Sequence, residues 1–266
     1  MNTLFVGLLA ALSYISASTL MIQQLISQQK HHRRAMQIGW LGAGFHSLYM
    51  ALIFQQYADF NFSFFNAAAL VSLFIVLLLL FASLDKPVEK LGIAIFPLAA
   101  SLISLDLILP EQARLLATHS WQMSIHVLTS IIAFSLLNIA ALQAILLAIQ
   151  DQQLRSHHPK RLILALPPLQ AMETLLFQMI GAGLVFLTVA LGSGFLFIED
   201  LFAQHLVHKT VLSIIAWIIF SGLLIGRLRY GWRGSAAIQW TLIGFVLLLL
   251  AYFGSKLVLE LILNRA

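Results

Sequence analysis

Eight apolar runs, each about 20 residues or longer and rich in Leu, Ile, Ala, Phe and Val, take up most of this chain. A helix of that length crosses roughly 30 Å of hydrocarbon, so each run has the length of a membrane span. The 266 residues are 61% hydrophobic and 9% charged, with a mean hydropathy of +0.94. A soluble domain cannot hide that much apolar surface. The longest polar interval, Asp151 to Glu173, is too short to fold independently. The expected fold is therefore all-α: a polytopic membrane helix bundle of about eight transmembrane helices, forming a single integral membrane domain over residues 1–266. Any chemistry sits within the bundle or at its rims.

The first basic residue is Lys30, so residues 3 to 27 lack the charged start of a secretory signal and read as a retained first span. Further spans are expected near 36 to 56, 66 to 84, 91 to 109, 122 to 149, 173 to 198, 207 to 228 and 236 to 259. Alternate loops carry Lys30, Arg33, Arg34, Lys86, Lys90, Arg155, Lys160, Arg161, Arg227, Arg229 and Arg233, eleven of the fifteen basic residues. Only Arg114, Lys209, Lys256 and Arg265 fall in the other set. Basic residues are retained on the cytoplasmic side, which predicts both termini on the outer, periplasmic side of a bacterial plasma membrane. No internal repeat survives counting. Gly39, Gly42 and Gly44, and Gly181, Gly183, Gly192 and Gly194, allow close approach of neighbouring helices or of a flat ligand.

The chain has no Cys, which excludes disulfides, thiolate nucleophiles, thiolate-bound clusters and covalent attachment of haem to this chain. The net charge of +5 reflects the loop bias; no basic face interleaved with exposed aromatics suits nucleic acid. No Ser/His/Asp set, phosphate-binding loop or zinc-protease helix is present, so the expectation is a protein that is not an enzyme. Polar side chains cost free energy in hydrocarbon, and here the exceptions are chiefly histidines. His31, His32, His157 and His158 lie among Arg and Lys in the basic loops and read as solvated interfacial residues. His46 falls in the middle of the second span, where it needs a partner: a backbone carbonyl, Asn138, Gln143 or a metal. His119 lies in an outer loop, His126 opens the fifth span, and His205 and His208, three residues apart, precede or open the seventh. His126, His205 and His208 come to one outer level, so two helices can clamp a ligand between them. A pair of imidazoles suits the axial positions of a six-coordinate haem, and a flat apolar macrocycle matches a site without carboxylates or thiolates better than a hydrated cation does. Hydrogen bonding to a carbonyl or a headgroup is the alternative for each.

The second half of the chain resembles a known family. Leu166-Pro167-Pro168-Leu169 with Met172-Glu173, then Leu187-Thr188 and Gly192-Ser193-Gly194, is similar to the run leading into the haem-handling segment of the cytochrome c assembly proteins. Residues Lys209 to Gly234, with Trp217 and the closing Arg229-Tyr230-Gly231-Trp232-Arg233-Gly234, continue the likeness, and Ala251-Tyr252-Phe253-Gly254 extends it. His126-Val127 resembles the family's first external haem-ligating His. The likeness covers roughly residues 120 to 258, and the length and span count point to its HemX-like, YpjD-like branch. The family's tryptophan-rich external segment is replaced here by Asp200 to Val207. Its second external His falls near Leu263 and its membrane His near Ile225. Only His126 carries over directly, with His205 or His208 standing as replacement ligands by level and spacing.

The resemblance implies an inner-membrane protein, multi-pass, that binds or handles b-type haem non-covalently. The candidate cofactor-binding residues are His126, His205, His208 and His46, with His126 and His208 as axial ligands of haem iron. Its implied partners are the lipid bilayer, haem and other membrane proteins that handle haem or cytochromes. A small-solute or metal transporter, and a membrane scaffold that kept the fold and lost haem, are the alternatives.

Overall fold

A computed structural model describes residues 2–27, 33–57, 63–109, 121–156, 166–197 and 207–254. Among these residues there are eight long helices and no strand: α1 (Thr3–Ile26), α2 (Arg33–Tyr57), α3 (Phe64–Asp85), α4 (Gly92–Ile108), α5 (Trp121–Arg155), α6 (Leu169–Phe197), α7 (Val207–Tyr230) and α8 (Ser235–Leu249). A short 3-10 turn, Glu89–Leu91, leads into α4, and a π-helical turn, Leu250–Gly254, continues α8. The all-helical reading stands. Seven of the helices are long and apolar enough to cross a membrane. The exception is α2, which carries Arg33, Arg34, Gln37, His46, Gln55 and Gln56 along its length.

Helix ends depart from the expected spans where polar residues extend a helix beyond its apolar core. Past residue 149, α5 runs on through Asp151 and Arg155, whose side chains pair at 3.0 Å one turn apart. The start of α6 is earlier than expected because the Pro168 carbonyl accepts from Ala171 and Met172, opening the helix directly after the Pro167-Pro168 pair. The last expected stretch, 255 to 259, lies outside the described residues.

The helices form two compact units, α1 to α4 and α5 to α8. In the first, α1 packs on α2 and α4, and α3 packs on α2 and α4, so sequential antiparallel helices close a ring of four. Its core is an aromatic wedge: Tyr14 and Phe96 stack with centroids 5.7 Å apart and planes 7° from parallel. Both rings need room on α2. A Cβ at Gly39 would lie 2.7 Å from Phe96, and one at Gly42 2.8 Å from Tyr14. These glycines therefore serve helix packing, whereas Gly44 faces open space. Pro97 sits inside α4, where its ring leaves the carbonyl four residues earlier without an intrahelical donor. That carbonyl is Ile93, and Ser18 on α1 donates to it at 3.1 Å. Near the other end of the same unit, Asp106 Oδ2 accepts from Tyr49 Oη at 2.8 Å and from Asn66 Nδ2 at 3.0 Å, tying α4 to α2 and α3.

The second unit repeats that neighbour order, with α5 on α6 and α8, and α7 on α6 and α8. Gly183 on α6 receives Leu137 of α5, and Gly244 on α8 receives Phe220 of α7. Phe134 stacks on Tyr252 at 5.0 Å, and the Tyr252 hydroxyl donates to the Ser130 carbonyl at 3.3 Å, which seats the π turn on α5. In each unit the described basic residues gather at one end: Arg33, Arg34, Lys86 and Lys90 in the first, Arg155, Arg227, Arg229 and Arg233 in the second; Lys209, at the start of α7, is the exception.

The two glycine classes separate by experiment. Gly39→Leu is expected to destabilise the detergent-solubilised chain by about 1–3 kcal/mol through overpacking against Phe96. Gly44→Leu, with nothing within 4 Å, is expected to stay within roughly 0.5 kcal/mol of the parent. Equal losses at the two sites in equilibrium unfolding would contradict the assigned packing.

Candidate functional site

His126 lies one turn into α5, part-buried against α6. Its Nδ1 is 2.9 Å from the Ala190 carbonyl and 3.2 Å from Ser193 Oγ. A carbonyl only accepts, so the bond to Ala190 requires the proton on Nδ1. Ser193 agrees, because its own hydroxyl donates to Ala190 at 2.9 Å and leaves its oxygen free to accept. The Nε2 atom then carries the lone pair. This is the tautomer in which a histidine binds a metal, with its other ring nitrogen held by a backbone carbonyl. Gly194 completes the seat: a Cβ there would approach His126 Cε1 to 3.1 Å. Gly181 and Gly192 face open space, so the close approach anticipated for α6 is made at Gly183 and Gly194.

The start of α5, the end of α6 and the start of α7 share one end of the second unit. His208, the second residue of α7, is at that end and exposed. Trp121 and Phe197 meet there with ring centroids 6.1 Å apart. His119 and His205 lie outside the described residues, as do His31, His32, His157, His158 and Leu263; Ile225 is exposed on α7. No cluster of three or more His, Asp or Glu able to hold a metal ion occurs among the described residues.

His46 belongs to the first unit and is fully buried. Its partner is Tyr14, whose hydroxyl lies 3.3 Å from Nδ1, with the two rings edge-on at 5.9 Å. Gln143, anticipated as a partner, instead donates to the Met172 carbonyl at 3.3 Å. Nothing among the described residues bonds His46 Nε2. Tyr14 escaped the sequence reading because an apolar-looking tyrosine on α1 signals nothing about the helix it will face. The contact is legible only from Gly42, the one-residue gap on α2 that admits the ring.

Motifs that are far apart in sequence meet in the second unit. The Trp217 indole N–H donates to Thr188 Oγ1 at 2.8 Å, and Glu173 Oε1 accepts from the Gly234 N–H at 2.6 Å. Gly194 faces His126. Each pairs a segment of α6 with a segment singled out on another element.

The buried Tyr14–His46 pair makes an asymmetric prediction. Tyr14→Phe strands His46 Nδ1 as well as Nε2 and is expected to destabilise the chain by about 1–3 kcal/mol. Adding His46→Met, which removes both stranded nitrogens, is expected to recover most of that loss in the same unfolding measurement. A double variant no more stable than Tyr14→Phe alone would refute the pairing.

The sequence profile of the cytochrome c assembly proteins matches residues 41–263. Inner membrane protein YpjD of Escherichia coli K12 is 35% identical over 207 residues, 76% of each chain, and YpjD of Escherichia coli O157:H7 gives the same figures. The uncharacterized 28.8 kDa protein of the nifR3-like 5' region of Azospirillum brasilense is 33% identical over 142 residues, 53% of this chain and 52% of that one. No solved structure matches the chain. With its ring-ordered apolar helices and the motif contacts of α6, the chain is a multi-pass inner-membrane protein that belongs to the cytochrome c assembly protein family.

Proposed function

We propose that this protein binds b-type haem, without covalent attachment, at the end of the second unit where His126 opens α5. The observation that carries this reading is the Nδ1 bond of His126 to the Ala190 carbonyl, 2.9 Å long, because it leaves Nε2 as a bare donor atom for iron. The donor set also fits chemically: neutral imidazole with no thiolate and no carboxylate cluster suits haem iron rather than a hard cation. His208, or His205 three residues before it in sequence, would supply a second imidazole to hold the haem iron. His46, enclosed beside Tyr14, lines the first unit as a polar residue.

The role proposed is handling of haem rather than catalysis, together with membrane proteins of haem or cytochrome maturation. When bound, haem would supply a redox-active iron and a porphyrin that can be retained or passed on. The chain's own residues have narrower tasks. Ala190 and Ser193 fix the His126 ring and its proton, and Gly194 keeps the ring's approach to α6 clear. Trp121 and Phe197 present apolar surface at the same end.

Absorption spectra of the detergent-purified protein, oxidised and dithionite-reduced with haem supplied, test this directly. A low-spin Soret and α/β pattern is expected, lost in His126→Ala and weakened or shifted to high spin in a His205→Ala/His208→Ala variant. Gly194→Val, which pushes on the ring without removing a ligand, is expected to weaken haem binding by about tenfold, a loss of about 1.4 kcal/mol. A monodisperse parent protein without a Soret band, or a band unchanged in His126→Ala, would overturn the proposal.

A further inference from the structure

The turn between α7 and α8 is built more firmly than a connection of four residues requires. Gly231 and Gly234 adopt φ of 65° and 61°, a left-handed backbone that glycine reaches without strain. The Trp232 N–H donates to the Gly226 carbonyl at 3.2 Å, and the Trp232 ring lies against Gly226. Arg227 Nη1 donates to the Trp232 carbonyl at 3.2 Å while its guanidinium stands 4.9 Å over the Phe177 ring. Glu173 on α6 holds the Gly234 N–H.

Among the described residues, this bonding commits every charge at that end except two. The described carboxylates of the second unit are Asp151 and Glu173. Asp151 is paired with Arg155 at 3.0 Å, and Glu173 is taken by Gly234. Arg227 is engaged within the turn. Arg229 and Arg233 remain exposed, with no ion pair or hydrogen bond to any described residue. They flank Tyr230, 73% exposed, and follow Leu228, 85% exposed. A site for a soluble anion has no use for a bare leucine and tyrosine beside its arginines. Apolar and aromatic side chains next to free guanidinium groups, at the end of two membrane helices, match the boundary between acyl chains and headgroups.

We propose that Arg229, in the last turn of α7, and Arg233, in the pinned Gly231–Gly234 turn that follows it, form a binding site for the headgroup of an anionic phospholipid. The two guanidinium groups take the phosphate diester, arginine being suited to paired hydrogen bonds with phosphate oxygens. Leu228 and Tyr230 lie along the first acyl carbons. The site is independent of haem.

The full-length chain is reconstituted into phosphatidylcholine vesicles with phosphatidylglycerol as the minority lipid, one or the other lipid brominated on its acyl chains. Subtracting the fluorescence of Trp232→Phe from that of the parent isolates the Trp232 component. Brominated phosphatidylglycerol is expected to quench it about threefold more per brominated lipid than brominated phosphatidylcholine. The preference should vanish in Arg229→Gln/Arg233→Gln and persist in Arg155→Gln, whose arginine is already paired. Native mass spectrometry of the parent and the double variant, counting retained phosphatidylglycerol, gives the same comparison without touching Trp232. Equal quenching by the two lipids, a preference that survives in the double variant, or one lost equally in Arg155→Gln overturns the proposal. So does its abolition by free inorganic phosphate, which assigns the arginines to a soluble anion instead.

Discussion

Hydrocarbon offers no hydrogen bonds, so a polar group that enters it costs free energy unless it finds a partner within the protein. That constraint explains the side-chain bonds between helices better than any preference for particular residues. Pro97 opens a carbonyl in α4 and Ser18 of α1 closes it. Asp106 brings a carboxylate into the first unit and is met by Tyr49 and Asn66 from two other helices. His126 is held by a carbonyl of α6. In each case the polar residue ties its helix to a neighbour at one register. Apolar packing alone, with lipid tails as attractive as leucine, does this poorly.

The two units share a neighbour order without sharing a sequence pattern. Sequential antiparallel helices joined by short connections close a ring of four in both, a consequence of chain connectivity rather than of repeated residues. What differs is how each ring is filled. The first is centred on Tyr14 and Phe96 against Gly39 and Gly42. The second gathers Phe134, Tyr252 and Phe253 around the π turn. Family likeness spans both units, but the contacts between separated motifs, Thr188 with Trp217 and Glu173 with Gly234, all involve α6.

Helix number and class were legible because run length against bilayer thickness is a one-dimensional property. Even so, α2 shows the limit of hydropathy: it is a helix of the bundle whose polar content keeps it below the span criterion. The partners of the buried polar residues were not legible. His46 and Tyr14 are 32 residues apart on different helices, and Asn138 and Gln143 were equally reasonable partners until α1 was placed. The glycines divide for the same reason. Gly42 and Gly44 are two residues apart, yet one faces Tyr14 and the other open space, because helical periodicity says which residues share a face and not what that face meets. For His126 the sequence carried more, since family likeness singled it out before any contact was known.

His126 and His46 show that residue type alone does not set the state of a buried histidine. Both are membrane histidines bonded through Nδ1. The acceptor at His126 is a carbonyl, which cannot donate, so the proton must reside on Nδ1 and the lone pair on Nε2. The partner at His46 is a tyrosine hydroxyl, which donates and accepts equally well, and it leaves the tautomer undetermined. Enclosure adds to the difference: His46 is fully buried with Nε2 unpartnered, while His126 is only part-buried. A helix carbonyl used as a partner thus fixes the tautomer and orientation of one imidazole, and the absence of a side chain at Gly194 leaves room for that ring against α6.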